Sequence, residues 1–126
     1  LLEWVRNQPK NAEISGYTDH VWNGITSMHF AKIARGIIEN DLFEAGVFHV
    51  LPQDSATKCE LVSLIAKYLG RSDIKVTPTV TGAKINRTLD TSFPNKNRAF
   101  WLGAGYDSPP TIEQMVSEVI ASESKG

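Results

Sequence analysis

Residues 46–70 read Gly46-Val47-Phe48-His49-Val50-Leu51, Pro52-Gln53-Asp54-Ser55, then Ala56-Thr57-Lys58-Cys59-Glu60 and a helical pattern to Gly70. The run Val47 to Leu51 has strand length and β-branched and aromatic character, so a strand covered on both faces is expected there. Pro52 to Ser55 supply turn chemistry. Thr57 with Glu60 three residues on is a capping box, whose hydroxyl and carboxylate satisfy the first free amides of a helix. Leu61, Val62, Ile65, Ala66 and Leu69 form the buried stripe of that helix, and Gly70 is a left-handed stop. An apolar strand leading through a turn into an amphipathic helix is the repeating unit of an α/β fold.

Upstream, Leu1 to Asn7 read as the last turns of a helix stopped by Pro9, and Glu13 to Tyr17 as a short extended piece. Thr18 to Thr26 is a polar loop rich in aromatics. Thr26 is placed to cap a helix running to about Asn40, with Phe30, Ile33, Ala34, Ile37 and Ile38 as its apolar stripe. Downstream, Ile74, Val76 and Val80 alternate with polar residues, which predicts a half-exposed strand that Pro78 confines to an edge. Thr81 to Ser108 shows no clear helical period and reads as an irregular segment wrapping a surface or a site. Thr111 and Gln114 then open a last helix with Ile112, Met115, Val116, Val119 and Ile120 as its stripe, fraying from Ser122.

The chain has 126 residues, 41% hydrophobic and 21% charged, with a net charge of −1. That size suits one domain or a piece of one, and the composition excludes disorder, collagen and coiled coil. Neither sign of charge forms a block, so nucleic acid and membrane are not expected as partners. No stretch approaches the length of a membrane span and no signal peptide is recognisable, so a cytoplasmic location is expected. The single Cys59 excludes an internal disulfide and a multi-cysteine zinc site. The sequence opens on Leu1-Leu2-Glu3-Trp4 without a methionine, as if entered within a helix, which suggests a fragment.

Chemistry-bearing residues are sparse. His20, His29 and His49 have no partner at helical metal-ligand spacing. His49, inside the apolar run, reads as a satisfied core residue, and His29, on a polar helix face, as solvated. Asp19-His20 is an acid–base pair with no nucleophile at a telling spacing. Cys59 lies in a first helical turn, where the macrodipole favours a thiolate, but without a neighbouring histidine or base a small packed side chain is the better reading. Gly103-Ala104-Gly105 lacks the leading strand of a nucleotide fingerprint. Lys84, Arg87, Lys96 and Arg98, interleaved with Asn86, Asn95 and Asn97, either hold the phosphates of a small anionic ligand or form a solvated loop.

Taken in order, a polar turn ending Gly24-Ile25-Thr26, the helix with Ala31-Lys32 and Arg35, the run Gly46 to Val50, a capped helix, an edge strand and Arg87-Thr88-Leu89-Asp90-Thr91 resemble the carboxy-terminal third of extended short-chain dehydrogenases/reductases. The likeness is strongest to the dTDP-4-dehydrorhamnose reductases and related sugar-nucleotide reductases. Thr26 matches the threonine of that family's Pro-Thr pair, with Ile25 in place of the proline. Gly46, Phe48 and His49 match a late strand of the nucleotide-binding sheet, and Leu89-Asp90 matches a Leu-Asp pair. The Arg-Pro before it is not preserved, and Lys84 or Arg87 is the nearest replacement. The loop from Tyr17 to Thr26 lies where such proteins shape the sugar pocket, which places Trp22 and Asn23 as stacking and hydrogen-bonding residues.

The resemblance implies an α/β fold of about four helices and a small sheet, the carboxy-terminal portion of a Rossmann-type extended reductase without its dinucleotide-binding half. Residues 1–126 form its substrate-binding portion, a single domain or fragment, with 46–70 as the last strand and helix of the nucleotide-binding sheet. The implied function is sugar-nucleotide binding within an NADPH- or NADH-dependent reductase of 4-keto sugars, in polysaccharide biosynthesis. The family's glycine-rich turn and Tyr-x-x-x-Lys pair are absent: Tyr17, Tyr68 and Tyr106 are followed four residues on by Val21, Ser72 and Pro110. No cofactor is therefore expected to bind this chain, and it is not expected to be active alone. The substrate-binding residues implied are Trp22, Asn23, Thr26, Lys84 and Arg87. Two alternatives remain, a non-catalytic sugar-nucleotide-binding or regulatory subunit on the same scaffold and a free-standing structural domain. Open strand edges at Val47 to Leu51 would favour a homodimer.

Overall fold

A computed structural model describes residues 1–43, 48–82 and 84–124. The element order is α1 (Leu2–Arg6), β1 (Glu13–Tyr17), β2 (His20–Trp22), α2 (Ser27–Glu39), β3 (Ala56–Thr57), α3 (Lys58–Tyr68), β4 (Lys75–Thr79), β5 (Ile85–Arg87), α4 (Pro94–Gly103) and α5 (Ile112–Ser124). The α/β class holds, with five helices among the described residues where four were expected and the strands divided between two small sheets. One sheet is the parallel pair β1–β4, and the other has the order β3-β2-β5. No helix of the described residues is long and apolar enough to cross a membrane.

The capped helices form as their sequences dictate. Thr57 Oγ1 accepts the Glu60 amide at 3.1 Å and Glu60 Oε1 accepts the Thr57 amide at 3.2 Å, completing the capping box of α3. Gly70 follows the helix at φ +72°, in the left-handed region where glycine is favoured. Val62, Ile65 and Ala66 of α3 meet Ile112, Met115, Val116 and Ile120 of α5 in one core that also takes in Val5, Ile33 and Trp101. The edge strand expected around Pro78 is β4, parallel to β1 with Ile14 opposite Val76.

Three expectations are corrected. Phe48 to Leu51 form no strand, and Gly46 and Val47 lie outside the described residues. The reason is visible at Leu51, whose backbone is hydrogen-bonded by side chains of α4. Asn97 Oδ1 accepts the Leu51 amide at 2.8 Å, and the Leu51 carbonyl accepts both Asn97 Nδ2 at 3.1 Å and Trp101 Nε1 at 2.8 Å. With its amide and both acceptor sites of its carbonyl engaged in this way, Leu51 has no group left for a ladder. Phe48 packs edge-on against Phe93 and Phe100 at centroid distances of 5.3 and 5.8 Å, while His49 is exposed rather than core. The open strand edges of the described chain are those of β1, β4, β3 and β5.

The second correction is the irregular segment, which contains β5 and α4. Pro94 opens α4 at a position that needs no amide hydrogen, and Asn97, Phe100 and Trp101 form its buried face at i, i+3 and i+4. One of those three is polar, so the apolar period alone does not reveal the helix. The third concerns α2, which is rotated from the expected stripe. His29, Ile33 and Gly36 are buried, while Phe30 and Ile38 are 63% and 80% exposed. Gly36 fixes the rotation, because a Cβ there would collide with the Gly103 carbonyl at the end of α4.

Asn97 is 8% exposed and satisfies two backbone groups at once. Replacing it with alanine strands the Leu51 amide and leaves the carbonyl to Trp101 alone, and Asn97→Ala is expected to destabilise the fold by about 2 kcal/mol. Thr57→Ala, which removes only a cap, is expected to cost about 1 kcal/mol. Urea unfolding of the two variants beside the unaltered chain measures both, and equal losses would refute this account.

Candidate functional site

The residues expected to bind substrate gather around β2. This strand is antiparallel to β3, with Trp22 opposite Ala56, and parallel to β5, with His20 opposite Ile85 and Trp22 opposite Arg87. Trp22 is half-buried and its indole lies over Gly24, where a Cβ would come within 2.5 Å of the ring. Asn23 reaches past β5: its Nδ2 donates to the Leu89 carbonyl at 2.8 Å and its Oδ1 accepts the Leu89 amide at 2.7 Å. Both ends of that amide are thus engaged in holding the Leu89-Asp90 segment beside β2. Lys84 is exposed just ahead of β5, and Arg87 closes the strand. Lys96 and Arg98, grouped with them in the sequence, lie instead on α4.

Thr26 follows three residues beyond Asn23 and caps α2, its Oγ1 accepting the His29 amide at 3.1 Å. Thr26 also lines a cleft of about 640 Å³ bordered by α1, β2, α3, β5 and α5. His20 and Trp22 stand on the β2 wall of this cleft, and Leu2, Leu61, Ile65 and Val119 supply aliphatic walls opposite. Its lining is dominated by aliphatic side chains, with Lys58 at one margin.

The sequence reading missed the polar cluster behind Thr26. His29 is fully buried, and both ring nitrogens are engaged: Nδ1 lies 2.5 Å from Thr26 Oγ1 and Nε2 lies 2.6 Å from Glu118 Oε2 on α5. Tyr106 donates its hydroxyl to the same Glu118 oxygen at 2.6 Å, Gln114 Nε2 donates to Oε1 at 3.3 Å, and Lys32 Nζ donates to the Tyr106 hydroxyl at 3.3 Å. Burial pushes the His29 imidazole below its ordinary value of 6.5, outweighing the pull of Glu118. Burial alone would raise Glu118, but hydrogen bonds from Tyr106, His29 and Gln114 hold it below its ordinary value. Tyr106 is pushed up by burial and by the neighbouring carboxylate. The ionised Glu118 only accepts, so Nε2–H of a neutral His29 donates to it and Nδ1 accepts the Thr26 hydroxyl proton. Thr26, His29, Ile33 and Gly36 at helical spacing were the signal available in the sequence, masked by the longer stripe that begins at Phe30.

Asp19 Oδ2 accepts the Thr81 hydroxyl at 2.7 Å and the amides of Thr81 and Gly82 at 3.0 and 3.1 Å, and these bonds hold its carboxyl below the usual range against the opposing effect of desolvation. Thr81 Oγ1 lies 3.3 Å from His20 Nε2, so the Asp19-His20 pair is joined through a threonine. Cys59 is half-buried in the first turn of α3. Gly103-Ala104-Gly105 lies at the carboxy-terminal end of α4, where the helix dipole repels phosphate, so it does not fit a dinucleotide cradle.

No family model matches the chain, and no curated protein does. Solved structures do. The dTDP-4-dehydrorhamnose reductase of Bacillus anthracis strain Ames, in complex with NADP, aligns over 96% of this chain and 40% of its own, with a TM-score of 0.69 at 17% identity. A dTDP-4-dehydrorhamnose reductase of Clostridium acetobutylicum aligns over 98% and 44%, with a TM-score of 0.71 at 17% identity. The chain has the fold of part of an extended reductase. The dTDP-glucose 4,6-dehydratase of B. anthracis, in complex with NAD, aligns less closely, over 89% and 34%, with a TM-score of 0.51 at 18% identity. The chain thus spans about two fifths of the length of the reductases that it resembles in fold.

The depressed pKa of His29 has a definite sign for stability. The unfolded imidazole takes up a proton near 6.5 whereas the folded one resists it, so stability is present above that value and is lost as pH falls below it. Glu118, whose folded pKa is also lowered, adds a loss in the same direction below its ordinary 4.5. The urea midpoint is expected to fall between about pH 7.5 and 5.5, and to fall less in His29→Gln, whose amide cannot be protonated in that window. An equal fall in both proteins would remove His29 as the cause.

Proposed function

We propose that this chain is the sugar-nucleotide-binding portion of a reductase of 4-keto sugars of the dTDP-4-dehydrorhamnose reductase kind. The observation that carries the reading is the alignment of two such reductases over 96% and 98% of this chain, together with the β2–β5 pairing that sets Trp22 opposite Arg87. In this reading the Trp22 indole stacks on the hydrophobic face of a sugar ring. Asn23 holds the Leu89-Asp90 segment that forms the opposite rim, and Lys84 and Arg87 at the two ends of β5 pair with the diphosphate. Thr26 fixes the end of the loop by capping α2.

The described glycines offer no phosphate cradle at a helix amino terminus, and in this reading NADPH or NADH belongs to another part of the parent reductase. No hydride step is derived for the chain itself. Binding without turnover is the activity expected of it.

Thermal unfolding with dTDP-glucose, with dTDP and with glucose tests the reading. A saturable rise in Tm with dTDP-glucose, a smaller one with dTDP and none with glucose is the expected order. Lys84→Ala and Arg87→Ala are each expected to weaken dTDP-glucose binding about tenfold, the loss of roughly 1.4 kcal/mol per phosphate contact. A Tm indifferent to millimolar dTDP-glucose would refute the proposal.

A further inference from the structure

The Trp22 indole rests on backbone. It lies over Gly24, where a Cβ would come within 2.5 Å of the ring, so the path of residues 23–26 decides where the ring stands. That path is pinned at both ends. Asn23 bonds the Leu89 backbone through both ends of its amide. Thr26 is joined to α2, its carbonyl accepting the Phe30 amide at 2.9 Å and its Oγ1 the His29 amide at 3.1 Å. The first turn of α2 is fixed in turn by His29, fully buried beside the Trp101 and Tyr106 rings at centroid distances of 6.2 and 5.9 Å. Its Nδ1 lies 2.5 Å from Thr26 Oγ1, and its Nε2 lies 2.6 Å from Glu118 Oε2. Glu118 belongs to α5, the helix whose Met115 and Val119 line the cleft together with Trp22. The imidazole thus connects the helix that forms one wall of the cleft to the loop on which the indole of another wall rests.

We propose that His29 is a positioning residue for the sugar-binding loop: it sets the Trp22 indole against the α5 wall of the cleft, and a proton on its Nδ1 releases that setting and weakens nucleotide-sugar binding. The proposal rests on the reading of the β2–β5 strip as a nucleotide-sugar site. Its physical basis is one short contact. With His29 neutral, the Thr26 hydroxyl donates to Nδ1 while its oxygen accepts the His29 amide, so each of these polar groups is paired. A proton on Nδ1 turns that nitrogen into a donor, and the Thr26 hydroxyl hydrogen loses its acceptor and has to turn away. A stranded hydroxyl and a cation taken out of water both disfavour the packed arrangement, and both are relieved when the first turn of α2 loosens from α5. The titratable groups facing the ring are Glu118 from α5, Tyr106 from the α4–α5 connection and Lys32 from α2, while Trp101 from α4 carries no charge. Glu118 favours the imidazolium and Lys32 opposes it, and burial outweighs the pull of Glu118, so the packed form resists the proton. A ligand that needs the packed loop therefore competes with the proton, and its affinity falls as pH drops below the ordinary 6.5 of a free imidazole.

Calorimetric titration with dTDP-glucose between about pH 7.5 and 5.5, paired with the indole N–H resonance of Trp22 in the ligand-free chain over the same range, tests the proposal. The diphosphate of the ligand, esterified at both ends, keeps its charge throughout. The expected result is a dissociation constant at least about threefold higher at the acid end, and a Trp22 resonance that moves with the ring resonances of His29. His29→Asn, whose Oδ1 stands in for Nδ1 as acceptor of the Thr26 hydroxyl but takes up no proton, is expected to bind and to flatten both profiles. His20 is the other imidazole of the cleft wall, and both profiles are expected to persist in a parallel series carrying His20→Gln. A Trp22 resonance unchanged across the range, or profiles lost with His20→Gln, overturns the positioning role. An affinity indifferent to pH in a chain that binds overturns the effect of the proton on binding. Failure of dTDP-glucose to bind at either end of the range overturns the nucleotide-sugar reading instead, and the ligand-free resonance then decides the positioning role by itself. That arm uses the unaltered chain, so it decides the question even where His29→Asn fails to fold.

Discussion

The buried imidazole of His29 is the tie on which the helical layer depends. It joins the amino terminus of α2, through Thr26, to the middle of α5, through Glu118, and the Tyr106 ring packs beside it at a centroid distance of 5.9 Å. The two sheets are two and three strands wide and too small to set the positions of five helices. Aliphatic contact holds helices together but is non-directional and tolerates sliding. A fully buried ring with both nitrogens engaged does not, because any slip leaves a donor or acceptor stranded away from water. Burial of a polar group here converts adhesion into a fixed register.

Two more ties act in the same way at other junctions. Asn97 and Trp101 bond the backbone of Leu51 and anchor the chain ahead of α3 to α4. Arg71, beyond the end of α3, donates to the Arg6 and Gln8 carbonyls at 2.9 Å each and pairs with Asp73 at 3.0 Å, which fixes the turn after α1. The Arg71 guanidinium and the Asn11 amide hold the Asp73 carboxyl well below the usual carboxylate range. The ion pairs of Arg35 with Glu39 and Lys67 with Glu113 are far more exposed and contribute little beside these.

Sequence legibility followed the range of the interactions. Caps act within one turn, and those of α2, α3 and α5 were readable from Thr26, Thr57 with Glu60, and Thr111, although the Gln114 side chain turns to Glu118 and leaves the expected box at α5 half made. Apolar stripes were readable where one face alone is buried, as in α3 and α5. The apolar run at Val47 to Leu51 misled because hydrophobicity reports burial and not hydrogen-bond partners, and the partners of Leu51 come from side chains 46 and 50 residues away. His29 misled for the same reason: its partner Glu118 is 89 residues distant, and nothing near His29 in the chain announces it. Of the candidate site, Trp22 and Arg87 were named by order and resemblance, and their backbones lie opposite each other on β2 and β5. The Thr26–His29–Glu118 cluster exists only once α2 and α5 are packed.

Fold and site therefore rest on different residues. The fold shared with reductases at 17% identity asks only for caps, stripes and strands of suitable length, which many sequences satisfy. The polar groups around Thr26 are a particular choice made on that scaffold, since a cap needs only the threonine hydroxyl and a packed helix face needs only an apolar side chain at position 29. An aliphatic residue there would remove the desolvation of His29 and leave Glu118 bonded by Tyr106 and Gln114. What the imidazole adds beyond aliphatic packing is the fixed register of α2 against α5, since both of its nitrogens must stay engaged.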